Sequence, residues 1–435
     1  MPLLARPIGR QDRRNPRDIR QRNGYTEEAL EARYQHSFGR VAGYLPKNRS
    51  VVQAWLDELG RRVEEQRARD AVVRHNSVAD LARLIDRDPV VRMYVSLMIE
   101  QAQQLCKSGV RDVSDLLDRL DTVVTTVPRY TDKVHFPMSA LFVDMMFTPA
   151  GEAAFRNRDL NKALLGILRE WCTHLDSPAS REVLTTDQWL SQEARKELKL
   201  DDFEINFSLQ YGGLASFNDF FHREVKPGKR LIDKDPKAIV APNDGKVVRV
   251  QRNVQRSDEF WVKGQRYSLH DMLDGSDLAD TFIGGDVYQS FLSGGDYHRW
   301  HAPVGGTVLS ARLVEGLMFT ELESAGHDKD AGTQSQIYQA AVNTRGLVLI
   351  KSDTAGIVCV MPIGITEISS VTITVQPGQT LQKGDELGYF SYGGSSMCVV
   401  FQPGAVADFD VPDNTTGDME CGQWCAVNSK IAHTK

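Results

Sequence analysis

The spacing of hydrophobic residues divides the chain into two halves. In the first half apolar residues recur three and four positions apart, as they do along one face of a helix. One helix is predicted to start at the Ser-Val-Ala-Asp sequence at 77–80, which is typical of a capping box, and another at Asp-Pro at 88–89. The same spacing extends over 115–123 and 160–171. We interpret these apolar stripes as core.

From about Ala241 onward, short β-rich runs alternate with glycine turns. Strands are predicted over 246–250, 282–291, 306–313, 347–351, 356–361, 370–375 and 397–401. Many short strands with few helices favour a compact, mostly antiparallel sheet domain. We therefore predict an α+β protein, in which a helical N-terminal domain is followed by a mostly antiparallel β catalytic domain.

A polar stretch at 175–200 marks the predicted domain boundary. We predict a flexible Arg-rich tail over 1–30, a helical domain over 31–195 and a catalytic domain over 196–435. The first 24 residues carry seven Arg against two Asp and no apolar face. A solvated tail is the favoured interpretation, and a transit peptide or a contact with anionic lipid is the alternative.

Composition narrows the function classes. The chain has 435 residues, 41% hydrophobic and 25% charged, which fits two or three globular domains. Its net charge of -6 argues against general nucleic-acid binding. The most apolar stretch, 346–365, is interrupted by Lys351 and Asp353, so it predicts two strands and a turn rather than a membrane span. The N-terminus lacks the apolar core of a secretion signal.

Cysteine usage indicates a reducing compartment. Six cysteines (106, 172, 359, 398, 421 and 425) show no metal-type spacing. We predict six free thiols and a cytoplasmic protein.

Three segments could carry chemistry: Ala-Pro-Asn-Asp-Gly at 241–245, Asp-Tyr-His-Arg-Trp-His-Ala-Pro at 296–303 and Gly-Gly-Ser-Ser at 393–396. The two histidines of the second segment lack further ligands nearby, so no metal site is predicted. Together the segments supply a carboxylate, a base and a hydroxyl nucleophile in that chain order, as in a serine hydrolase. However, the Gly-x-Ser-x-Gly elbow of that class does not occur here.

The same segments resemble the phosphatidylserine decarboxylase family. The resemblance covers 211–403 and rests on five ordered motifs. They are Phe-Asn-Asp-Phe-Phe-His-Arg at 217–223 with Lys-Pro-Gly at 226–228, Pro-Asn-Asp-Gly at 242–245, Tyr-His-x-x-His-x-Pro at 297–303, Lys-Gly-Asp-Glu-Leu-Gly at 383–388 and Gly-Ser-Ser at 394–396. The family's usual Leu-Gly-Ser-Thr is Gly-Gly-Ser-Ser in this chain, which keeps the Gly–Ser pair.

Other segments are similar to one branch of that superfamily, the fungal pyruvoyl-type decarboxylases of tryptophan. They are the region from Asp-Arg-Asp-Pro at 86–89 to about 172, Val-Leu-Thr-Thr-Asp-Gln at 183–188 and Pro-Ile-Gly-Ile-Thr-Glu-Ile-Ser at 362–369. With both halves counted, the resemblance extends over roughly 77–405.

The resemblance implies a zymogen that cuts itself between Gly394 and Ser395 and converts Ser395 into a covalent pyruvoyl group. His301, oriented by Asp244, is the predicted base for Ser395. The pyruvoyl ketone would form a Schiff base with a substrate amine, and His298 is the predicted acid that protonates the carbon left by CO2. No pyridoxal phosphate is expected.

An aromatic L-amino acid such as tryptophan is the favoured substrate, and its amine the product. The nearest alternative is decarboxylation of phosphatidylserine to phosphatidylethanolamine, which would add a membrane contact. A serine hydrolase without self-cleavage is the distant alternative. The family resemblance also implies a homo-oligomer of processed heterodimers.

Overall fold

The structure is a computed structural model of the chain. It describes residues 45–46, 48–69, 74–106, 108–146, 148–256, 267–275, 277–321, 331–367, 370–392, 395–415 and 421–435. The predicted tail at 1–30, residues Gly393 and Gly394, and the side chain of Cys106 lie outside the described part.

The described chain begins with a helical region. Its α-helices are α1 (Arg49–Arg69), α2 (Asn76–Arg87), α3 (Pro89–Cys106), α4 (Val113–Val123), α5 (Pro137–Met146), α6 (Pro149–Ala154), α7 (Arg158–Leu175), α8 (Gln192–Glu197) and α9 (Phe217–Phe221). Short 3-10 helices lie at Tyr130–Asp132, Pro178–Val183, Leu200–Asp202 and Gln210–Gly213. These helices confirm the four predicted from apolar spacing.

One helix start was predicted wrongly in detail. Helix α2 begins at Asn76, and its N-cap is His75, which makes no side-chain capping bond. Ser77 is therefore already helical, and its hydroxyl has no hydrogen-bond partner among the described residues. Asp88 does cap α3, because its Oδ1 accepts from the backbone nitrogen of Val90 at 2.8 Å.

The second half of the described chain contains fourteen strands and three further helices. The strands are β1 (Ala238–Val240), β2 (Gly245–Gln251), β3 (Asp286–Leu292), β4 (Arg299–His301), β5 (Gly306–Val314), β6 (Arg345–Ser352), β7 (Gly356–Gly364), β8 (Val371–Ile373), β9 (Thr380–Leu381), β10 (Glu386–Phe390), β11 (Ser395–Phe401), β12 (Val406–Phe409), β13 (Trp424–Cys425) and β14 (Lys430–Thr434). The helices are α10 (Leu269–Met272), α11 (Leu278–Phe282) and α12 (Ala331–Val342).

Three sheets result, and their strand pairings are antiparallel throughout the described residues. The largest has eight strands in the order β13-β2-β3-β11-β7-β6-β5-β9. Two three-stranded sheets have the orders β1-β14-β12 and β4-β10-β8. This architecture confirms the predicted α+β class.

Particular strand predictions fared unequally. The apolar stretch at 346–365 forms β6, a turn and β7, as predicted. The strand predicted at 282–291 starts later, at Asp286, because Phe282 ends helix α11. In the described part of the chain, the helices are all too short or too polar to cross a membrane. Cysteines 172, 359, 398, 421 and 425 are free thiols.

The eight-stranded sheet is buried on both faces. Along its central strand β11, successive side chains belong alternately to two different hydrophobic cores. Met397, Val399 and Phe401 belong to a large core shared with the helical region, whereas Cys398 and Val400 pack into a smaller core with α10, α11 and α12. Successive strand residues point to opposite faces. Burial on both faces explains why β11 is apolar at nearly every position.

Candidate active site

The residues predicted to carry out the chemistry lie around one end of the strands of the eight-stranded sheet. Ser395, the first residue of β11, pairs with Leu292 at the end of β3 and with Gly364 at the end of β7. Asp244 immediately precedes β2, whose Lys246 pairs with Phe291 of β3. The segment carrying both histidines follows β3 directly. The antiparallel register of these strands therefore brings the three sequence motifs to the same end of the sheet.

The two adjacent serines differ in their hydrogen bonding. Both are fully buried. The hydroxyl of Ser396 donates to the carbonyl of Ser290 at 2.9 Å and accepts from Nε2 of Gln289 at 2.9 Å. The hydroxyl of Ser395 has no hydrogen-bond partner among the described residues. A buried hydroxyl without a partner costs about 1–3 kcal/mol, so Ser395 holds a high-energy group beside the predicted scissile bond.

Asp244 is held by an arginine rather than by a histidine. Its carboxylate accepts from Nε of Arg230 at 3.0 Å and from Nη2 at 2.8 Å. It also accepts from the backbone nitrogen of Val427 at 2.8 Å. The hydrogen bonds of Asp244 and of His301 thus go to other partners in the described residues, and the orienting role of Asp244 stays a prediction.

His301 has a different pair of partners. Its Nδ1 lies 2.8 Å from the carbonyl oxygen of Gly384, and its Nε2 lies 2.8 Å from the hydroxyl of Tyr297. A carbonyl only accepts, so Nδ1 carries the proton and Nε2 accepts from Tyr297. Burial lowers the pKa of His301. The ring is thus held neutral, as a base requires.

His298 lies on the other side of the same segment and is fully buried. Its ring stacks on Phe221, with centroids 3.9 Å apart, and Phe221 also contacts Tyr392 at 4.9 Å. The backbone nitrogen of Phe390 donates to the carbonyl of His298 at 3.0 Å. These contacts fix His298 close to the segment that leads into Ser395.

Arg299 makes an ion pair instead of presenting a free cation. Its Nη1 lies 2.8 Å from Glu386, and its Nη2 lies 3.4 Å from Glu224. Its Nε donates to the carbonyl of His222 at 2.7 Å. We therefore do not assign it to a substrate carboxylate.

A buried carboxylate, Glu367, links the helical region to this end of the sheet by hydrogen bonds. Glu367 accepts hydrogen bonds from the backbone nitrogens of Met138 and Ser139, at 3.0 and 2.7 Å, and from the Ser139 hydroxyl. These donors lie at the N-terminus of α5, where a helix favours negative charge. Burial nevertheless raises the pKa of Glu367 to about 7. Glu367 lies three residues beyond Gly364, the strand partner of Ser395.

A cavity of about 380 Å³ opens between the helical region and the sheet edge. We call it the interdomain cavity. It is lined by Tyr130, His135, Phe136, Trp189, Glu197, Leu198, Lys199, Phe203, Arg223, Arg230, Asp244, Ser293, Gly294, Gly295, Asp296, Tyr297 and Trp424. Burial raises the pKa of Asp296 to about 6, although Ser293 donates to its carboxylate through both backbone nitrogen and hydroxyl.

Two glycines allow the helical region to approach this closely. A Cβ at Gly294 would lie 2.2 Å from the ring of Phe136, and one at Gly295 would lie 2.6 Å from Leu198. Side chains at these positions would push the helical region away from the loop. The Gly-Gly pair thus allows the helical region to pack against this loop.

Sequence reasoning missed several residues of this site. Arg230, the partner of Asp244, lies outside the five motifs. Asp296 and Glu367 lie inside quoted motifs, and their acidic character next to apolar neighbours was the available signal. Trp424 has no local signal, since only the pairing of β13 with β2 brings it to the cavity.

Comparison with known proteins places this fold and site in a family. The model of the phosphatidylserine decarboxylase family matches residues 217–431, and a second model with that description matches residues 75–198. The chain belongs to the phosphatidylserine decarboxylase family and is a decarboxylase.

Individual relatives agree with this assignment. The decarboxylase iboD of Amanita muscaria is 35% identical over 322 residues, which cover 68% of this chain and 90% of the relative. The L-tryptophan decarboxylase of Psilocybe cubensis is 28% identical over 392 residues, covering 83% and 88%. A phosphatidylserine decarboxylase proenzyme of Fusobacterium nucleatum is 32% identical over 226 residues, covering 52% and 72%.

Proposed function

We propose that this chain cleaves itself between Gly394 and Ser395, and that the processed enzyme removes CO2 from an aromatic L-amino acid, with tryptophan as the favoured substrate. The observation that carries the proposal is the contrast between the two serines. Ser396 has a complete set of partners, whereas the Ser395 hydroxyl is buried without one among the described residues. A hydroxyl that no neighbour engages is available as a nucleophile.

Self-cleavage would use the chain's own atoms. The Ser395 Oγ attacks the Gly394 carbonyl carbon, the peptide C–N bond breaks, and the nitrogen takes up the hydroxyl proton. Loss of the Ser395 Cα proton then breaks the new Cβ–O bond and releases Gly394 as a carboxylate. The elimination leaves a dehydroalanine enamine, which takes up a proton at Cβ and gives one up at nitrogen to become an imine. Water hydrolyses this N-terminal imine, releasing ammonia and leaving a ketone.

Neighbouring residues suit the two proton transfers. His301 is half-buried, neutral and fixed at both ring nitrogens, so it is our candidate for the base in cleavage. The hydroxyl of Tyr297 is hydrogen-bonded to Nε2 of His301. For His301 to accept the Ser395 proton, this hydroxyl must either move away from Nε2 or relay the proton to it. Asp244 supports this region through Arg230 and Val427 rather than through His301 itself.

The pyruvoyl ketone supplies an electrophile for the substrate amine and an electron sink for the carbanion left by CO2. The residues present fit such a group, because Ser395 is buried and its hydroxyl has no hydrogen-bond partner among the described residues. His298 is our candidate for the acid that returns a proton to the substrate carbon. Its burial against Phe221 keeps water from competing for that step.

The substrate class is inferred from the cavity and the relatives together. The interdomain cavity has aromatic walls and buried charges, and its volume of about 380 Å³ lies at the small end of ligand pockets. A small zwitterion with an aromatic side chain suits it better than two acyl chains do. The relative from Psilocybe cubensis, an L-tryptophan decarboxylase matched over 88% of its length, favours the same choice.

The first test is the intact mass of the purified protein, followed by product analysis. We expect a fragment that starts at residue 395 and carries a ketone, and release of tryptamine and CO2 from tryptophan. A single uncut chain that reacts with a fluorophosphonate would favour the hydrolase alternative. A cut enzyme that releases phosphatidylethanolamine from phosphatidylserine vesicles, and no amine from tryptophan, would favour the lipid alternative.

A further inference from the structure

The interdomain cavity lies close to the residue where chemistry is proposed. Ser293 and Gly294 form part of its lining, and the preceding residue, Leu292, is the strand partner of Ser395. Phe136 also lines it and stacks on Tyr392, with ring centroids 5.7 Å apart. One layer of residues therefore separates the cavity from the start of β11.

Alternation along β11 points Ser395 toward the same side. Met397 and Val399 belong to the core shared with the helical region, and that core includes Phe136 and Trp189 of the cavity wall. Ser395 lies two residues before Met397, so its side chain points to this face of the sheet. Ser396 points to the opposite face, where it contacts Gln336 of α12.

The cavity wall offers flat aromatic surfaces. His135 lies 4.7 Å from Trp189, and Tyr130 lies 5.5 Å from Trp189, measured between ring centroids. Trp424 completes the wall from the opposite domain. Its ring is 40% exposed and lies beneath the ammonium of Lys199, which is 4.8 Å from the ring centroid. An aromatic side chain would pair favourably with such rings.

The inner end of the cavity carries charge instead. Arg223 is 3% exposed, and Asp296 is held by Ser293. These two charged groups match the carboxylate and the ammonium of a free amino acid. A substrate in this cavity would place its polar end near Arg223 and Asp296 and its side chain near Trp424.

We infer that the interdomain cavity binds the side chain of the substrate amino acid, and that Trp424 determines specificity by stacking on an aromatic ring at the mouth. This inference rests on the proposed function. Trp424 would belong to the same fragment, 395–435, as the reacting residue. Its β-strand pairing with Lys246 fixes it beside the Asp244 segment.

The test compares Trp424→Leu and Trp424→Phe with the wild-type enzyme, using tryptophan as substrate and tryptamine as a competing ligand. The expected result for Trp424→Leu is a rise of about tenfold in KM and in the tryptamine inhibition constant. The value of kcat should stay within about twofold, because stacking acts equally on bound substrate and transition state. Trp424→Phe should recover most of the affinity.

A matched control is available in a second cavity. Trp55 lines a separate cavity of about 770 Å³ within the helical region, together with residues such as Pro128 and Glu182. Trp55→Leu makes the same chemical change there and should leave both constants unchanged. Intact mass of each variant verifies that processing is complete.

Two results would overturn the inference while leaving the proposed function standing. The first is an unchanged KM in Trp424→Leu, whether or not kcat falls. The second is an equal rise in KM in Trp55→Leu, since it would show no selectivity for this cavity. If the wild-type enzyme is processed yet releases no amine from any aromatic amino acid, the proposed substrate and this inference fail together.

Discussion

Ser395 and Ser396 are consecutive on β11, yet only the hydroxyl of Ser396 has hydrogen-bond partners among the described residues. Strand alternation explains the difference, because it turns Ser396 toward the Gln289 and Gln336 side chains and Ser395 toward the helical region. The roles of the two residues should therefore separate cleanly on mutation.

Ser395→Ala is expected to give an uncut, inactive chain, whereas Ser396→Ala should still be cut. The second variant leaves Gln289 without its hydroxyl partner, so we expect a loss of about 1–3 kcal/mol in the free energy of unfolding. Intact mass measures cleavage, and urea denaturation measures stability. Efficient cleavage of Ser395→Ala would contradict the assignment of the nucleophile.

His301→Ala and Asp244→Asn should both slow self-cleavage, for different reasons. His301→Ala removes the base, and a loss of about 10²–10⁴-fold in rate is expected. Asp244→Asn breaks the buried pair with Arg230, so it should also destabilise the fold by roughly 2–5 kcal/mol. Cleavage rates from timed mass spectra, compared with melting curves, distinguish the two effects. Wild-type cleavage in both variants would remove these residues from the mechanism.

Arg230→Gln provides the control for that comparison. It leaves both Asp244 and His301 in place but removes the charge that holds the carboxylate. If Asp244 acts through the Arg230 pair, Arg230→Gln should reproduce the slow cleavage of Asp244→Asn. Normal cleavage in Arg230→Gln would show that the carboxylate acts by another route.

His298→Ala should be processed normally and then turn over poorly, with kcat reduced about 10²–10⁴-fold. Proton return to the substrate carbon is needed in catalysis and not in cleavage. Mass spectrometry of the variant and a tryptamine assay on the same sample check the two parts. A variant that is fully processed and fully active would refute the proton-donor role.

Glu367 should give the protein a measurable pH dependence of stability. Burial raises its pKa from the ordinary value of 4.5 to about 7. The folded state thus binds more protons than the unfolded state between these values, so the stabilising contribution is full below pH 4.5 and is lost as pH rises through about 7. We expect the free energy of unfolding to fall by roughly 1–3 kcal/mol more between pH 5 and 8 than in Glu367→Gln.

This comparison is best made in the Ser395→Ala background, in which one intact chain unfolds. Glu315→Gln is a suitable control, because Glu315 forms only an exposed ion pair with Arg169. Parallel pH profiles for the Glu367→Gln protein and its parent would show that the buried carboxyl does not titrate in this range.

Local patterns predicted much of this molecule. The Asp88–Pro89 helix start and the turn between β6 and β7 depend on neighbouring residues, so the sequence indicates them directly. The pairing of Asp244 with Arg230, and of Glu367 with Ser139, depends on how separate elements pack. No periodicity or motif encodes such contacts, so the sequence could not indicate that Asp244 pairs with Arg230.

The position of β11 has a consequence for the processed enzyme. A cut before Ser395 would leave a small chain whose β11 lies between β3 and β7 of the large chain, and whose β14 lies between β1 and β12. Separating the two chains would require breaking the hydrogen bonds of β11 to both β3 and β7 in the middle of the sheet. Dissociation and global unfolding would therefore be the same event. Once denatured and diluted, the two pieces would have to find each other by diffusion, and recovery would depend on concentration. The working lifetime of such a processed protein is therefore set by the rate at which it unfolds.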